Sequence, residues 1–382
     1  MQTPEDTLTD QEIASFNPPL FWLQNRGHLY GNNQKKFAEL SYRIVCTAAQ
    51  RIKEMRKTNT LNESSFQEIL NYFATERRNI AQETGTVDAK LFGKNRQEKI
   101  NDNIYALHTD LHAPRYRHLQ ESIKNQYLIY LKKYRDTGKT TFQTELSNSR
   151  VIVTILPLDL PKILKEMTQS YKNYEEASFN AAIGDLMTNS EQIFSDFGQQ
   201  FNLTCNNAKI IKLQYHIKVD DKWIPTTQYY SIYFSFNSTF TISDEELKAY
   251  QLIGIVTCIH TDPEYFMILM KNIAGLWLKA ANWDGNDTNQ LKEILAEIHY
   301  KKAHMVLYYG GSAAIAEYIE KSLLKSFDFL LTPVADDLID LASLKQPYMH
   351  LFIRDFVNNK FWNRDPTAIK CEISKQYTTL KP

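Results

Sequence analysis

The strict alternation over residues 211–219 constrains this chain more than any other stretch. Ile211, Leu213, Tyr215, Ile217 and Val219 are apolar, and Lys212, Gln214, His216 and Lys218 between them are polar. A period of two places one set on a single face of an extended strand. A second run alternates Tyr230, Ile232, Phe234 and Phe236 against Tyr229, Ser231, Tyr233 and Ser235, with Asp220-Asp221-Lys222 and Pro225 between the runs. The two predict an antiparallel pair, with the Tyr230/Ile232 side on the core and Ser231 and His216 on the other face. Val151–Leu156, a continuous run rich in β-branched residues and ended by Pro157, predicts a further strand buried on both faces.

Elsewhere the apolar spacing is three and four, the period of an amphipathic helix. Phe37, Leu40, Ile44, Ala48, Ile52 and Met55 predict a helix over 34–55. Ser65-x-x-Glu68 reads as the capping box of the next. Leu119, Ile123, Tyr127, Leu131 and Tyr134 predict a helix over 115–135, and Asp159 opens helical pattern to about Phe201. Thr261-x-x-Glu264 with Pro263 opens another, and Asp287 or Thr288 caps one that runs through Leu291, Ile298 and Met305 to Tyr309. The fold class is α+β, predominantly helical with a small antiparallel sheet in the middle of the chain. Its expected regions are a flexible N-terminus (1–17), a helical region (18–140), a mixed region with antiparallel strands (141–240) and a helical region packed on the sheet (241–382).

Lysine plus arginine equals aspartate plus glutamate at 44 each, so no basic excess points to nucleic acid as a partner. The four cysteines form no Cys-x-x-Cys pair, which argues against a disulfide framework or a thiolate zinc site. No apolar tract reaches transmembrane length, and the first residues lack a basic and apolar leader, so a cytoplasmic protein is expected.

Four stretches are candidates for chemistry. The first is Gly310-Gly311-Ser312, where a helix opening with free backbone N–H groups could seat a phosphate. His304 would be the nearby proton carrier and Glu317 the orienting carboxylate. The structural alternative is a tight helix–helix joint, with Gly310 in the left-handed region, Ser312 as N-cap, and Glu317 and Lys321 as an exposed pair. The second is His260-x-x-x-Glu264. The third is His108-x-x-x-His112 with Asp110, which could share a helical face for a metal; Pro114 reads instead as a loop, so no metal site is assigned, and the nearby Arg115 suits phosphate. The fourth is the loop 25–33, whose Arg26 and His28 suit an anion at the following helix.

An upstream serine such as Ser231, with His260 and Glu264, resembles the Ser…His-x-x-x-Glu pattern of AMP-transferring effectors secreted by Legionella-type intracellular bacteria. That resemblance implies transfer of a nucleotide-derived group, AMP first among the choices, from ATP or another nucleotide with Mg²⁺ to a host protein. The lysine-, asparagine-, isoleucine- and tyrosine-rich composition also looks like that of a translocated effector, made in a bacterial cytoplasm and delivered to the host. The competing expectation is a non-catalytic helical interaction module with a tyrosine-rich surface.

Overall fold

A computed structural model describes residues 15–16, 31–86, 88–98, 108–110, 116–157, 208–234, 257–329, 331 and 339–358. In chain order its helices are α1 (Gly31–Lys57), α2 (Glu63–Glu83), α3 (Arg117–Thr137), α4 (Phe266–Ala281), α5 (Thr288–Met305), α6 (Ser312–Ser326), α7 (Ile339–Lys345) and α8 (Met349–Val357). Its strands are β1 (His108–Asp110), β2 (Thr141–Leu146), β3 (Ser149–Pro157), β4 (Ala208–Val219), β5 (Lys222–Phe234) and β6 (Thr257–Ile259). The chain is α+β, mostly helical with one antiparallel sheet of order β1-β6-β5-β4-β3-β2.

Two compact units divide the chain. One draws on Met1–Asn95, Met270–Ser343 and Leu351–Pro382, the other on Arg96–Leu269 and Leu344–His350. Helices from both ends of the chain therefore share one unit, and α3 belongs with the sheet.

In the sheet unit, Asp220 and Asp221 both take positive φ between Val219 and Lys222, the two-residue turn whose twist suits a hairpin. Pairing of Ile211 with Ser231 and of Leu213 with Tyr229 puts Tyr229 and Ser231 on the face of the β4 apolar residues. That reverses the face expected for β5. Alternation within a strand fixes which residues stand together but not which set faces the core, and two-sided burial here (Tyr229 and Tyr230 are both buried) removes the contrast. Nor are His216 and Ser231 neighbours: His216 pairs with Pro225 at a register shift. In β3 only alternate residues are fully buried, so, unlike β5, it presents one core face rather than the two expected. The buried face of α3 is the expected one, with Leu119, Ile123, Tyr127 and Leu131 inside. Its Gln126 accepts the Tyr215 hydroxyl at 3.0 Å.

The helical unit closes on aromatic contacts: Phe66 with Trp277, and Phe73 and Phe16 with Tyr318. The Tyr318 hydroxyl lies 2.7 Å from Ser41 Oγ. Asn62, three residues earlier than expected, is the N-cap of α2, with Ser65 closing the box from N3. Asp287 caps α5, its Oδ1 accepting the N–H groups of Asn289 (2.9 Å) and Gln290 (3.1 Å). Asp287→Ala should cost about 1 kcal/mol and Asp287→Asn much less, read as the shift in a urea midpoint. Among the described residues no helix is long and apolar enough to cross a membrane.

Candidate functional site

The corner at Gly310-Gly311-Ser312 lies wholly in the helical unit and differs from both readings of its sequence. Helix α5 stops at Met305 rather than Tyr309, because Val306 takes the left-handed conformation (φ 45°, ψ 64°) expected of Gly310. The chain then runs extended against residues 92–95. Tyr309 N–H donates to Lys94 O, and Gly93 N–H to Gly310 O. Gly311 (φ 82°), not Ser312, is the N-cap of α6, and no side chain caps it. Ser312 Oγ turns back instead, accepting Tyr308 N–H at 2.9 Å and donating to Tyr308 O at 3.1 Å. The first α6 bond is Ile315 N–H to Gly311 O, so the amides of residues 312–314 lie ahead of the helical ladder.

Both glycines answer to what presses on the turn. A Cβ at Gly310 would stand 3.1 Å from the Phe92 ring, and one at Gly311 would stand 2.7 Å from Arg77 Cγ and 3.3 Å from its Nε. Arg77, from α2, thus brings its guanidinium to the α6 N-terminus, with Phe92 at 4.4 Å and Phe37 at 5.2 Å from its Cζ. Its Nε and Nη1 are buried and have no hydrogen-bond partner. Burial lowers its pKa, but a guanidinium remains charged.

A cation at a helix N-terminus faces the wrong end of the dipole. The opposite end of α6 shows the favourable case, where Arg56 donates to the Ser326 carbonyl at 3.3 Å and to Ser326 Oγ at 3.0 Å. Arg77 Nε and Nη1 have neither an acceptor nor a favourable dipole end. Each unmet charged donor in such a place costs more than a neutral one, on the order of 2–3 kcal/mol. An anion seated between Arg77 and the α6 amides would satisfy both positive features.

Lys302, on the last turn of α5, is the second uncompensated cation. Its Nζ is buried without a hydrogen-bond partner, 5.3 Å from the ring centre of Tyr308. Burial pushes the amine down to about 7. The other buried lysines among the described residues are paired: Lys301 with Glu297 at 2.5 Å and with Asn272, Lys321 with Glu317 at 2.5 Å and with the Ser15 carbonyl. Nearby on α5, His299 Nδ1 lies 3.2 Å from Glu320 Oε2 of α6, both side chains buried.

No protein-family model matches the chain, and no curated protein matches it.

The remaining expected residues are dispersed. His304 is buried, with Nε2 donating to the Ser343 carbonyl at 3.2 Å and its ring 4.4 Å from that of Tyr300. Burial drives its pKa down to about 3, so at neutral pH it is uncharged and tied to structure rather than poised to move a proton. Glu317 is paired with Lys321 as expected, though Lys321 is buried. His260, Glu264 and Ser231 lie in the sheet unit. His260 follows β6 at the end where Ile259 pairs with Gln228, whereas Ser231 lies beyond the opposite end, where Thr257 pairs with Tyr230. The structure therefore does not bring Ser231 and His260 together.

His260 Nδ1 sits 3.8 Å from Cys258 Sγ. The cap expected from Thr261 and Glu264 comes from Asp262, which accepts the Glu264 N–H at 2.9 Å. His108 is on strand β1, so the helical spacing to His112 is not adopted. Among the described residues no group of three or more His, Cys, Asp or Glu side chains is placed to hold a metal ion. Arg26, His28, Arg115 and His112 lie outside the described residues, as does the pattern from Asp159 to Phe201.

Sequence reasoning missed Arg77, Lys302 and the His299–Glu320 pair. Arg77-Arg78 and Lys301-Lys302 are ordinary charged pairs on helices, and nothing in their spacing marks which member of each finds a partner, as Arg78 and Lys301 do, and which does not.

Proposed function

We propose that the chain is a group-transfer enzyme that seats the phosphates of a nucleotide-derived donor between Arg77 and the N-terminus of α6. It passes a nucleotide-derived group, AMP first among the choices, to a protein target; the composition suits an effector acting on a host protein. One observation carries this reading. A partly buried guanidinium, two of whose nitrogens are enclosed without a hydrogen-bond partner, meets a helix N-terminus that no side chain caps, and a phosphate has the charge and acceptor geometry to serve both. His299, its Nδ1 3.2 Å from Glu320 Oε2, is among the described residues the histidine of this unit held by a carboxylate, whereas His304 is held by the Ser343 carbonyl.

The test is thermal stabilisation by ATP, GTP, NAD and pyrophosphate, each with and without Mg²⁺, in the wild type and in Arg77→Met. Methionine keeps an apolar stem between the two rings and removes the charge. At least one of these ligands should raise the Tm of the wild type, and Arg77→Met should weaken that binding by about 10–100-fold, the worth of lost charge-assisted hydrogen bonds. No stabilisation by any of the four, or equal stabilisation of both proteins, would overturn the proposal and favour an interaction module without catalysis.

A further inference from the structure

Lys302 stands apart from every other buried lysine of the helical unit among the described residues. Lys301 and Lys321 each reach a carboxylate, whereas the Lys302 amine reaches only the face of Tyr308. Tyr308 is also the residue that Ser312 clamps at the corner, through both its N–H and its carbonyl. The ring that the amine faces therefore belongs to the residue that closes the corner which Arg77 borders from the α2 side. A buried ammonium without an acceptor sheds its proton easily, and a lysine amine without its proton is a nucleophile.

We propose that Lys302 accepts the nucleotidyl group covalently before it reaches the target, a step that rests on the corner being the phosphate seat. With a nucleoside triphosphate as donor, a bond forms between Lys302 Nζ and the α-phosphorus. The bond from that phosphorus to the bridging oxygen breaks, and its electron pair leaves with pyrophosphate. The proton lost by the amine departs on a pyrophosphate oxygen. A hydroxyl of the protein target then attacks the same phosphorus and forms an O–P bond, the N–P bond breaks with its electron pair returning to Nζ, and Nζ takes up the proton the hydroxyl loses, which restores the amine.

The amine is enclosed, only 1% of Lys302 being exposed, so transfer to it requires the link 306–309 to move aside. Val306 lies in that link with φ 45°, a conformation β-branched residues rarely adopt, so the closed link carries backbone strain. Arg77 and the α6 amides hold the charged phosphates, and Tyr308 keeps water from the amine while the site is closed.

The full chain is incubated with Mg²⁺ and ATP labelled at the α-phosphate or, separately, at the γ-phosphate, then denatured and mapped by peptide mass spectrometry. The expected result is α-label without γ-label, stable in base and lost in acid as an N–P bond requires, on the peptide containing Lys302. Lys302→Arg should abolish it, and the wild-type peptide map locates the label even if that variant does not fold. Label on another residue, or α-label that survives in folded Lys302→Arg, overturns the proposal. Stabilisation by ATP without any label overturns it while leaving the phosphate seat standing. Neither stabilisation nor label overturns both.

Discussion

Gly93→Ala is expected to destabilise the helical unit by more than about 3 kcal/mol, a large share of the stability of an ordinary domain. Gly93 has φ 67°, and a Cβ there would lie 2.0 Å from the carbonyl oxygen of Ala74 and 2.7 Å from its carbon. Both atoms are backbone in the middle of α2, so no side-chain rotation relieves the clash. Either α2 or the segment 92–95 must move, and that segment carries the hydrogen bonds to Tyr309 and Gly310 that hold the corner. Gly85 is the matched control: its φ is 63°, yet nothing lies within 4 Å of its added Cβ. Gly85→Ala should therefore cost only the left-handed penalty, about 1–2 kcal/mol. Urea titration of the two variants beside the wild type separates clash from strain. Equal losses would mean that α2 and residues 92–95 are not packed as described.

Lys302→Met is expected to reshape the dependence of stability on pH. In the unfolded chain a lysine holds its proton to about pH 10.4, whereas in the fold this amine holds it only to about 7. Between those values the unfolded state binds one more proton, so wild-type stability rises with pH there, by up to a tenfold change in the folding equilibrium constant per pH unit. The gain is complete above the unfolded value and is lost as pH falls towards 7. Methionine has the length without the charge, so its curve should lack this slope and exceed the wild type's by a few kcal/mol near pH 6. The comparison is cleanest from pH 7.5 to 9.5, below the range in which unfolded tyrosines ionise; the buried hydroxyls of Tyr300, Tyr308 and Tyr318 are all pushed upward. Parallel curves for the two proteins would show that Lys302 keeps its proton in the fold.

Acid acts through other residues. His304 and His216 are held near 3 and 4 by burial, with Arg150 and Lys212 adding to the effect at His216. Unfolding lets both take up protons below about pH 6.5, so their contribution to stability disappears as pH falls through the range between 6.5 and 3.

Period and punctuation along the chain determined a good deal by themselves. The spacings of Leu119, Ile123, Tyr127 and Leu131 and the alternation of residues 211–219 were enough to place α3 and β4 and to make the class α+β, because each records one-sided burial in its own local period. Asp287 at the start of α5 and the glycine-bearing corner before α6 were legible for the same local reason, since caps and turns make their demands within a few residues. What local pattern could not carry is which elements meet. The core face of β5 depended on its register with β4, and the end of α5 on the pairing of residues 308–310 with 92–95. Arg77 became an uncompensated cation at the corner because α2 lies against Gly311, more than 200 residues away in sequence. Lys302, unlike Lys301 beside it, found no carboxylate. Sequence gives the identity and local facing of a charge, but its burial and its partners come from residues remote in the chain, and on those partners the chemistry at Gly310-Gly311-Ser312 depends.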